Sequence, residues 1–356
     1  MANHDAWNTF SAISAAFHAA THNAIDITAR RSQRVSETII TRAPTRIDFG
    51  GGWTDVPPYS DEMGGFVCNL AIARYATVTV EGRSSARHGH EQVPATGTNA
   101  DRSIAEAAAR RFGMTDVRID VQSDFPLGAG LGGSSAAGVA TVAALAAARD
   151  EVMQQSEIAE LSRAIEIGDL GVPGGRQDHY AAAYGGALGL RFSAAGVEVS
   201  RIPLDTQLRA ELEQRCIVIY TGKSRISGET IEAVLGAYRN RESRVLAALD
   251  RMRATAESMA EALAARDVDA LADLVAEQWR HQRSLHPAIP TPLIDEIIAQ
   301  GAAAGAMGAK ALGASGGGCV LLIAKRGRSD DVRDAVAPLG ELLAFSVAER
   351  GVERCR

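Results

Sequence analysis

Strands and helices alternate along this chain without a regular strand–helix–strand rhythm, so an α+β protein is expected, not a doubly wound parallel sheet. The length of 356 residues, at roughly 150 residues per domain, suggests two structural units. No fixed-period repeat and no low-complexity linker interrupts the chain, so the two units are expected to pack closely.

Residues 1–38 stand apart as an extension, with an alanine-rich stretch from Ser11 to Ala20 and a basic patch of Arg30, Arg31 and Arg34. Its histidines, His4, His18 and His22, read as solvated side chains and not as a metal cluster. Thr41–Phe49 and Tyr75–Gly82 read as strands, the second from the β-branched alternation ATVTV. Residues 101–112 and 134–149 are alanine-rich and helical, and the strand VRIDV (Val117–Val121) lies between them. A helix follows over Ser156–Ile167 with Ser156 as its N-cap. Strands are expected at Leu188–Phe192, Val197–Ile202 and Cys216–Tyr220. Helical periodicity then covers Glu229–Ala265, Leu271–Leu285 and, after Pro287, Pro290 and Pro292, Leu293–Ala304. Val320–Ala324 reads as a buried strand, Asp330–Ala337 as a helix and Leu342–Val347 as a last strand. A wide helix face within residues 229–285 would suit a homodimer surface, but its periodicity is equally that of a core-facing helix.

Composition narrows the function classes. Hydrophobic residues make up 46% and charged residues 22%, as in an ordinary globular protein. A net charge of −6, a pI near 5.8 and only 5% aromatics argue against nucleic acid as a partner. The absence of a run of about 18 apolar residues argues against a membrane partner. Cys68, Cys216, Cys319 and Cys355 are widely spaced, with no C-x-x-C pair. They read as reduced thiols, and a cytoplasmic protein is expected.

The most informative segment is PLGAGLGGSSAA, Pro126–Ala137, running into a helix. Its glycines let main-chain N–H groups turn inward, and the positive end of the helix faces the same point. Gly128, Gly130, Leu131, Gly132 and Gly133 thus form a cradle suited to a polyphosphate. The hydroxyls of Ser134 and Ser135 can bind phosphate oxygens or magnesium. No Lys-Ser/Thr pair follows the glycines, which excludes a Walker A loop, and Leu131 with the paired serines reads against a dinucleotide fingerprint.

Three further segments carry polar chemistry. In RAPTRIDFGGGWTD (Arg42–Asp55), a strand ends in glycines and delivers Gly52, Trp53, Thr54 and Asp55 to a loop. A carboxylate beside an aromatic face suits a polyol, and Arg46 can direct its charge at a phosphate or a base. GASGGG (Gly313–Gly318), including Gly316 and Gly317, precedes the strand CVLLIA, as where one backbone passes close to another or to a ligand. PGGRQDHY (Pro173–Tyr180) puts Asp178 at a helix start, where it can serve as an N-cap or accept a substrate proton. Glu166 lies twelve residues earlier.

Three ordered segments, around Arg46–Asp55, Pro126–Ala137 and Gly313–Gly318, resemble the motifs of the GHMP small-molecule kinases from about residue 39 to the end. The sugar kinases among them are the most similar. RIDFGGGWTDVPPYSDEMGG, GLGGSSA, GGRQDHYAAAYGG, YTGKSR and GAKALGASGGG have the texture of D-glycero-α-D-manno-heptose 7-phosphate kinases. Trp53 before Thr54, with Pro57 and Pro58 after, is similar instead to L-fucokinases, and Gln177-Asp178-His179 departs from the usual Q-D-Q.

The resemblance implies a GHMP kinase fold with an ATP-binding domain over 39–205, a second domain over 206–356 and an active site in the cleft between them. It implies ATP and Mg2+ as cofactors and a small-molecule sugar or sugar phosphate as partner. It makes Asp178 the base, Arg46 its polarising partner, Glu166 with Ser134 or Ser135 the magnesium site, and Asp55 the sugar-binding carboxylate. Pro126 and the glycines after it would wrap the phosphates, and residues 313–318 would brace them and line the substrate side. If the acceptor already carries a phosphate, Lys223 and Arg225 offer a cationic receptor, with Arg83 and Arg87 as a weaker option. A catalytically silent sensing homologue would usually lack Asp178 or Glu166. A bare nucleotide-binding module leaves the other motifs unexplained.

Overall fold

A computed structural model describes residues 37–82, 95–223 and 228–355. Expectations placed on the amino-terminal extension, Arg83, Arg87 and Arg225 lie outside these residues.

Two antiparallel sheets organise the described chain. The first is built on β1 (Ile39–Gly50) and β2 (Gly65–Gly82), joined by a loop that contains the short helix α1 (Tyr59–Glu62). Next come α2 (Asn99–Arg111), β3 (Val117–Ser123), α3 (Gly133–Ala148), α4 (Gln155–Arg163), a π-helical turn over Ala164–Asp169 and α5 (Gln177–Tyr184). The hairpin β4 (Ala187–Ser193) and β5 (Gly196–Ile202) closes this part. In the sheet, β1, β2, β4 and β5 lie side by side and β3 pairs with the far end of β2.

The second half continues with α6 (Thr206–Arg215), β6 (Cys216–Tyr220), α7 (Gly228–Arg239), α8 (Ser243–Ala264), α9 (Val268–Ser284) and α10 (Pro292–Ala304). It ends with β7 (Ala306–Ala311), β8 (Cys319–Ala324), α11 (Ser329–Val336), β9 (Glu341–Leu342) and β10 (Glu353–Cys355). Its sheet runs β7-β8-β6-β9. The final strand β10 returns to pair with β1, so the chain end lies in the first sheet.

Several local expectations need correction. β2 runs 18 residues, more than twice the expected span, because Gly65–Leu70 pairs with β4 while Ala76–Gly82 pairs with β3. The alternation in ATVTV reflects one half-exposed end; the buried half has no alternation to read. α4 is capped by Gln154 and not by Ser156, with Glu157 reaching back to the Gln154 N–H. Beyond β9, the expected strand to Val347 is reduced to one bridge, Ile72 to Val347. α6, β7 and β10 were not expected; β7 is AMGAKA, whose small residues carry little strand signal.

α3 is the central element. It is Ala- and Gly-rich on every side, and most of it is buried between the first sheet and helices α2, α4 and α5. Small side chains permit that close approach: a Cβ at Gly138 would lie 2.5 Å from the Ser162 hydroxyl of α4. The Thr41 hydroxyl of β1 donates to the Ala140 carbonyl at 2.7 Å and ties helix to sheet.

The halves share one apolar cluster. Ile47, Phe49 and Leu70 of the first sheet pack with Leu263, Val275 and Leu321 of the second half. Across the same boundary, the fully buried Lys310 of β7 reaches Asp48 of β1, its ammonium 2.8 Å from the Asp48 carbonyl and 2.9 Å from Oδ2. Burial pulls the Lys310 ammonium below its ordinary pKa, and the Asp48 charge opposes that shift.

Candidate active site

A cavity of about 410 Å³ opens where the glycine-rich turn, the end of β1, the start of α5 and the turn after β7 converge. Its wall includes Arg46, Asp48, Gly52, Trp53, Asp55, Pro126–Ser135, Glu166, Gln177, Asp178, Gly313 and Ala314.

The glycine turn is built for close approach. Gly132 sits at φ +74°, immediately before α3, and a Cβ there would lie 3.0–3.2 Å from the Asp178 carboxylate group. The left-handed backbone and that contact both call for glycine. Gly130, also at φ +74°, lies so close to the second half that a Cβ would come within 2.7 Å of the Leu312 carbonyl. The Cys319 N–H donates to the Ala129 carbonyl at 2.8 Å. The turn after β7 is therefore the buttress of the cradle. Gly313 and Ala314 reach the cavity wall, whereas Gly316 and Gly317 do not; the Gly316 N–H instead donates to the Ile289 carbonyl.

Arg46 is buried, and its guanidinium carries two commitments. Nε donates to Asp178 Oδ1 at 2.8 Å, with Nη2 2.6 Å from the same oxygen, and Nη1 donates to the Gly130 carbonyl at 2.7 Å. One side chain thus ties the cradle to the carboxylate that faces it. The Asp178 side chain keeps 27% exposure, so it is open to the cavity and is not tied up as an N-cap.

Glu166 is nearly buried on the π-helical turn, a feature that often marks functional sites. Ser134 Oγ donates to its Oε1 at 2.6 Å and Ser135 Oγ to its Oε2 at 3.0 Å. A residue that the spacing did not single out completes this set: His179 Nε2 lies 3.1 Å from Glu166 Oε2. Burial pushes the Glu166 carboxyl up, but the contacts with His179, Ser134 and Ser135 outweigh it and hold the group below its ordinary value. One carboxylate with two hydroxyls is an all-oxygen set that suits Mg2+, which commonly takes one or two carboxylates and completes its shell with phosphates and water. Among the described residues no three His, Cys, Asp or Glu side chains gather as a metal cage, so such an ion would depend on phosphate oxygens as well.

The loop after β1 behaves differently from its sequence reading. Thr54 does not line the cavity: its hydroxyl lies 2.7 Å from the Gly51 carbonyl, 3.0 Å from the Phe66 carbonyl and accepts the Phe66 N–H, so it fixes the loop. Trp53 reaches the wall but is only 8% exposed, with φ +82°, and packs in the apolar cluster of Tyr59, Met252 and Trp279. It cannot lay an open aromatic face over a ring. Asp55 is buried against the start of α5, where Oδ2 accepts the Gln177 N–H at 3.0 Å. The helix end is thus capped from another segment. Burial pushes the Asp55 carboxyl up to about 6, the Gln177 N–H opposes this, and the charges of Asp178 and Asp48 add to it. Lys223 is exposed and outside the wall; its carbonyl accepts the Gly318 N–H.

An anion cradle at a helix start, an oxygen set for a divalent cation and an arginine-held carboxylate around one cavity are the parts that phosphoryl transfer requires. Comparison with known families agrees. Residues 100–186 match the GHMP kinases N terminal domain and residues 259–340 match the GHMP kinases C terminal domain. The chain belongs to the GHMP kinases, and its α+β architecture is the fold of that family. It is 28% identical to the D-glycero-alpha-D-manno-heptose 7-phosphate kinase of Campylobacter jejuni, over 90% of this chain and 99% of that protein. It is also 28% identical to the bifunctional fucokinase/GDP-fucose pyrophosphorylase of Arabidopsis thaliana, over 79% of this chain but only 29% of that longer protein. A crystal structure of a D-glycero-D-manno-heptose 1-phosphate kinase from Bacteroides thetaiotaomicron superposes with a TM-score of 0.69 at 25% identity, covering 89% of this chain and 99% of that one. Heptose phosphate kinases and fucokinases are thus among the relatives of this chain. No helix of the described residues is long and apolar enough to cross a membrane.

Proposed function

We propose that the protein transfers the γ-phosphoryl group of ATP to the anomeric hydroxyl of D-glycero-α-D-manno-heptose 7-phosphate. The observation that carries the phosphotransfer reading is Asp178, held by Arg46 across the cradle from the first turn of α3. Likeness to a heptose 7-phosphate kinase along nearly the whole of both chains supports the sugar.

The anomeric hydroxyl is more acidic than an ordinary alcohol because the ring oxygen withdraws charge, so a carboxylate suffices as its base. In the reaction, the hydroxyl oxygen forms a bond to the γ-phosphorus while the bond from that phosphorus to the β-phosphate oxygen breaks. The proton passes to Asp178, and ADP leaves. Loop N–H groups of Gly128–Ser135 hold the phosphates, and Arg46 neutralises charge between cradle and base. Glu166, with Ser134 or Ser135, would hold Mg2+, which when bound would offset charge on the phosphate oxygens. Asp55 accepts from sugar hydroxyls when ionised.

A second reading, L-fucose or another uncharged sugar, is favoured by one feature of the cavity. Among the described residues its wall carries a single cation, Arg46, already engaged by Asp178 and Gly130, beside Asp48, Asp55 and Asp178. A coupled ADP-release assay with heptose 7-phosphate, L-fucose, galactose and mannose separates the two. Turnover confined to the heptose 7-phosphate is expected. A preference for L-fucose would replace it with the second reading, and ADP release with none of them would remove the sugar kinase assignment of the site.

A further inference from the structure

We infer that His179 is a positioning residue, which holds the Glu166 carboxylate in place for a divalent cation. The inference rests on the reading of Glu166 as the metal carboxylate and goes beyond it, because His179 touches neither cavity nor phosphate cradle. The ring is 1% exposed and outside the cavity wall.

Among the described residues, three side chains donate to Glu166. Oε1 accepts from Ser134, and Oε2 from Ser135 and His179. A serine that turns a lone pair toward a cation gives up its hydrogen bond to the carboxylate. His179 cannot make that exchange, since it is buried behind Glu166, so its bond persists when the serines re-orient. An ionised carboxylate only accepts, which puts the ring proton on Nε2 and leaves the Nδ1 lone pair to the Ser162 hydroxyl, 3.0 Å away. Ser162 has room there because α3 carries glycine at position 138. A ring hydrogen-bonded at both nitrogens has one orientation and one tautomer, and such outer partners set ligand geometry in metal sites. Asp178 and His179 are neighbours on the first turn of α5, one held by Arg46 at the cavity and the other by Glu166. That turn therefore sets the separation of proton acceptor and metal carboxylate.

The test uses the full-length protein, ATP and Mn2+ as the probe ion, with bound Mn2+ read by electron paramagnetic resonance. Glu166→Gln is expected to weaken Mn2+ binding to the nucleotide complex more than any other variant. His179→Leu is expected to weaken it about tenfold, His179→Gln to restore it to within about threefold by supplying an amide donor, and metal-free ATP affinity to stay unchanged in all three. With saturating Mg2+, kcat of His179→Leu recovers, whereas the KM for Mg2+ stays raised. Wild-type Mn2+ affinity in His179→Leu, with Glu166→Gln impaired, overturns the inference and leaves the metal reading standing. Wild-type affinity in Glu166→Gln overturns that reading itself. If His179→Leu does not fold, Ser162→Ala, which frees Nδ1, decides the matter: weakened Mn2+ binding supports the inference and unchanged binding overturns it.

Discussion

Asp178 and Asp55 are both acidic residues near a helix start, yet their surroundings assign them opposite work. Asp178 is paired with Arg46 and open to the cavity, so replacing it with Asn removes the carboxylate proposed as proton acceptor and the countercharge of Arg46, while the amide oxygen can still accept from the guanidinium. Turnover is expected to fall roughly a hundredfold or more, the usual scale of a general base, with ATP affinity retained; steady-state kinetics and nucleotide titration check both. Asp55 is buried, and its carboxyl is pushed up to about 6 from an ordinary 3.8. The folded state therefore holds that proton more tightly than the unfolded chain between these values, and stability falls as pH rises through the window. Above about 6 the whole penalty applies; below 3.8 it has vanished. Asp55→Asn is expected to raise stability at pH 7.5 by up to about 3 kcal/mol, an advantage that shrinks toward nothing near pH 4, and to weaken sugar binding. Urea titrations at the two pH values would contradict this if the difference did not change.

The element that decides the site is α3 with the turn before it. Its helix start faces the cavity, and the turn keeps its shape because backbone from the second half lies directly against it. Gly130→Ala introduces a Cβ 2.7 Å from the Leu312 carbonyl at a φ of +74°, and neither backbone can yield cheaply. The variant is expected to raise the KM for ATP tenfold or more, about 1.4 kcal/mol of lost binding, while the sugar KM changes less. A loss confined to sugar binding would show that the turn does not hold the nucleotide. These glycines announced themselves in the sequence because a turn, paired serines and an alanine helix follow in immediate succession. The buttress could be anticipated only as a glycine run before a strand; Gly316 and Gly317 share that run but miss the cavity.

At the scale of the molecule, the two sheets are joined by an apolar cluster and by Lys310 with Asp48, a fully buried ammonium on a nearly buried carboxylate. Removing one partner leaves a buried charge alone. Lys310→Met is expected to destabilise by about 3–5 kcal/mol, and Lys310→Met with Asp48→Asn to recover part of the loss. Differential scanning calorimetry of the single and double variants tests the coupling, and additive effects would mean that the pair does not act as a unit. The pair also fixes β1, which carries both Arg46 and Asp48, against β7, whose following turn buttresses the cradle.

Short-range chemistry is what the chain order determined alone: strands from β-branched runs, helices from alanine-rich periodicity, and a turn of adjoining glycines and serines whose N–H groups suit an anion. Arg46, Asp178 and the serines drew notice from the polar and glycine-rich segments that hold them, whereas Glu166 was singled out only by its place in the family resemblance. What the tertiary structure decided are partnerships between distant segments. Asp55 caps a helix over a hundred residues away, Trp53 turns into a core it shares with Trp279, and His179 backs Glu166 through a ring that Ser162 holds. Each depends on which surfaces meet when the sheets and α3 pack, and a side chain's burial, charge and hydrogen-bond partners are set by those surfaces and not by its neighbours along the chain.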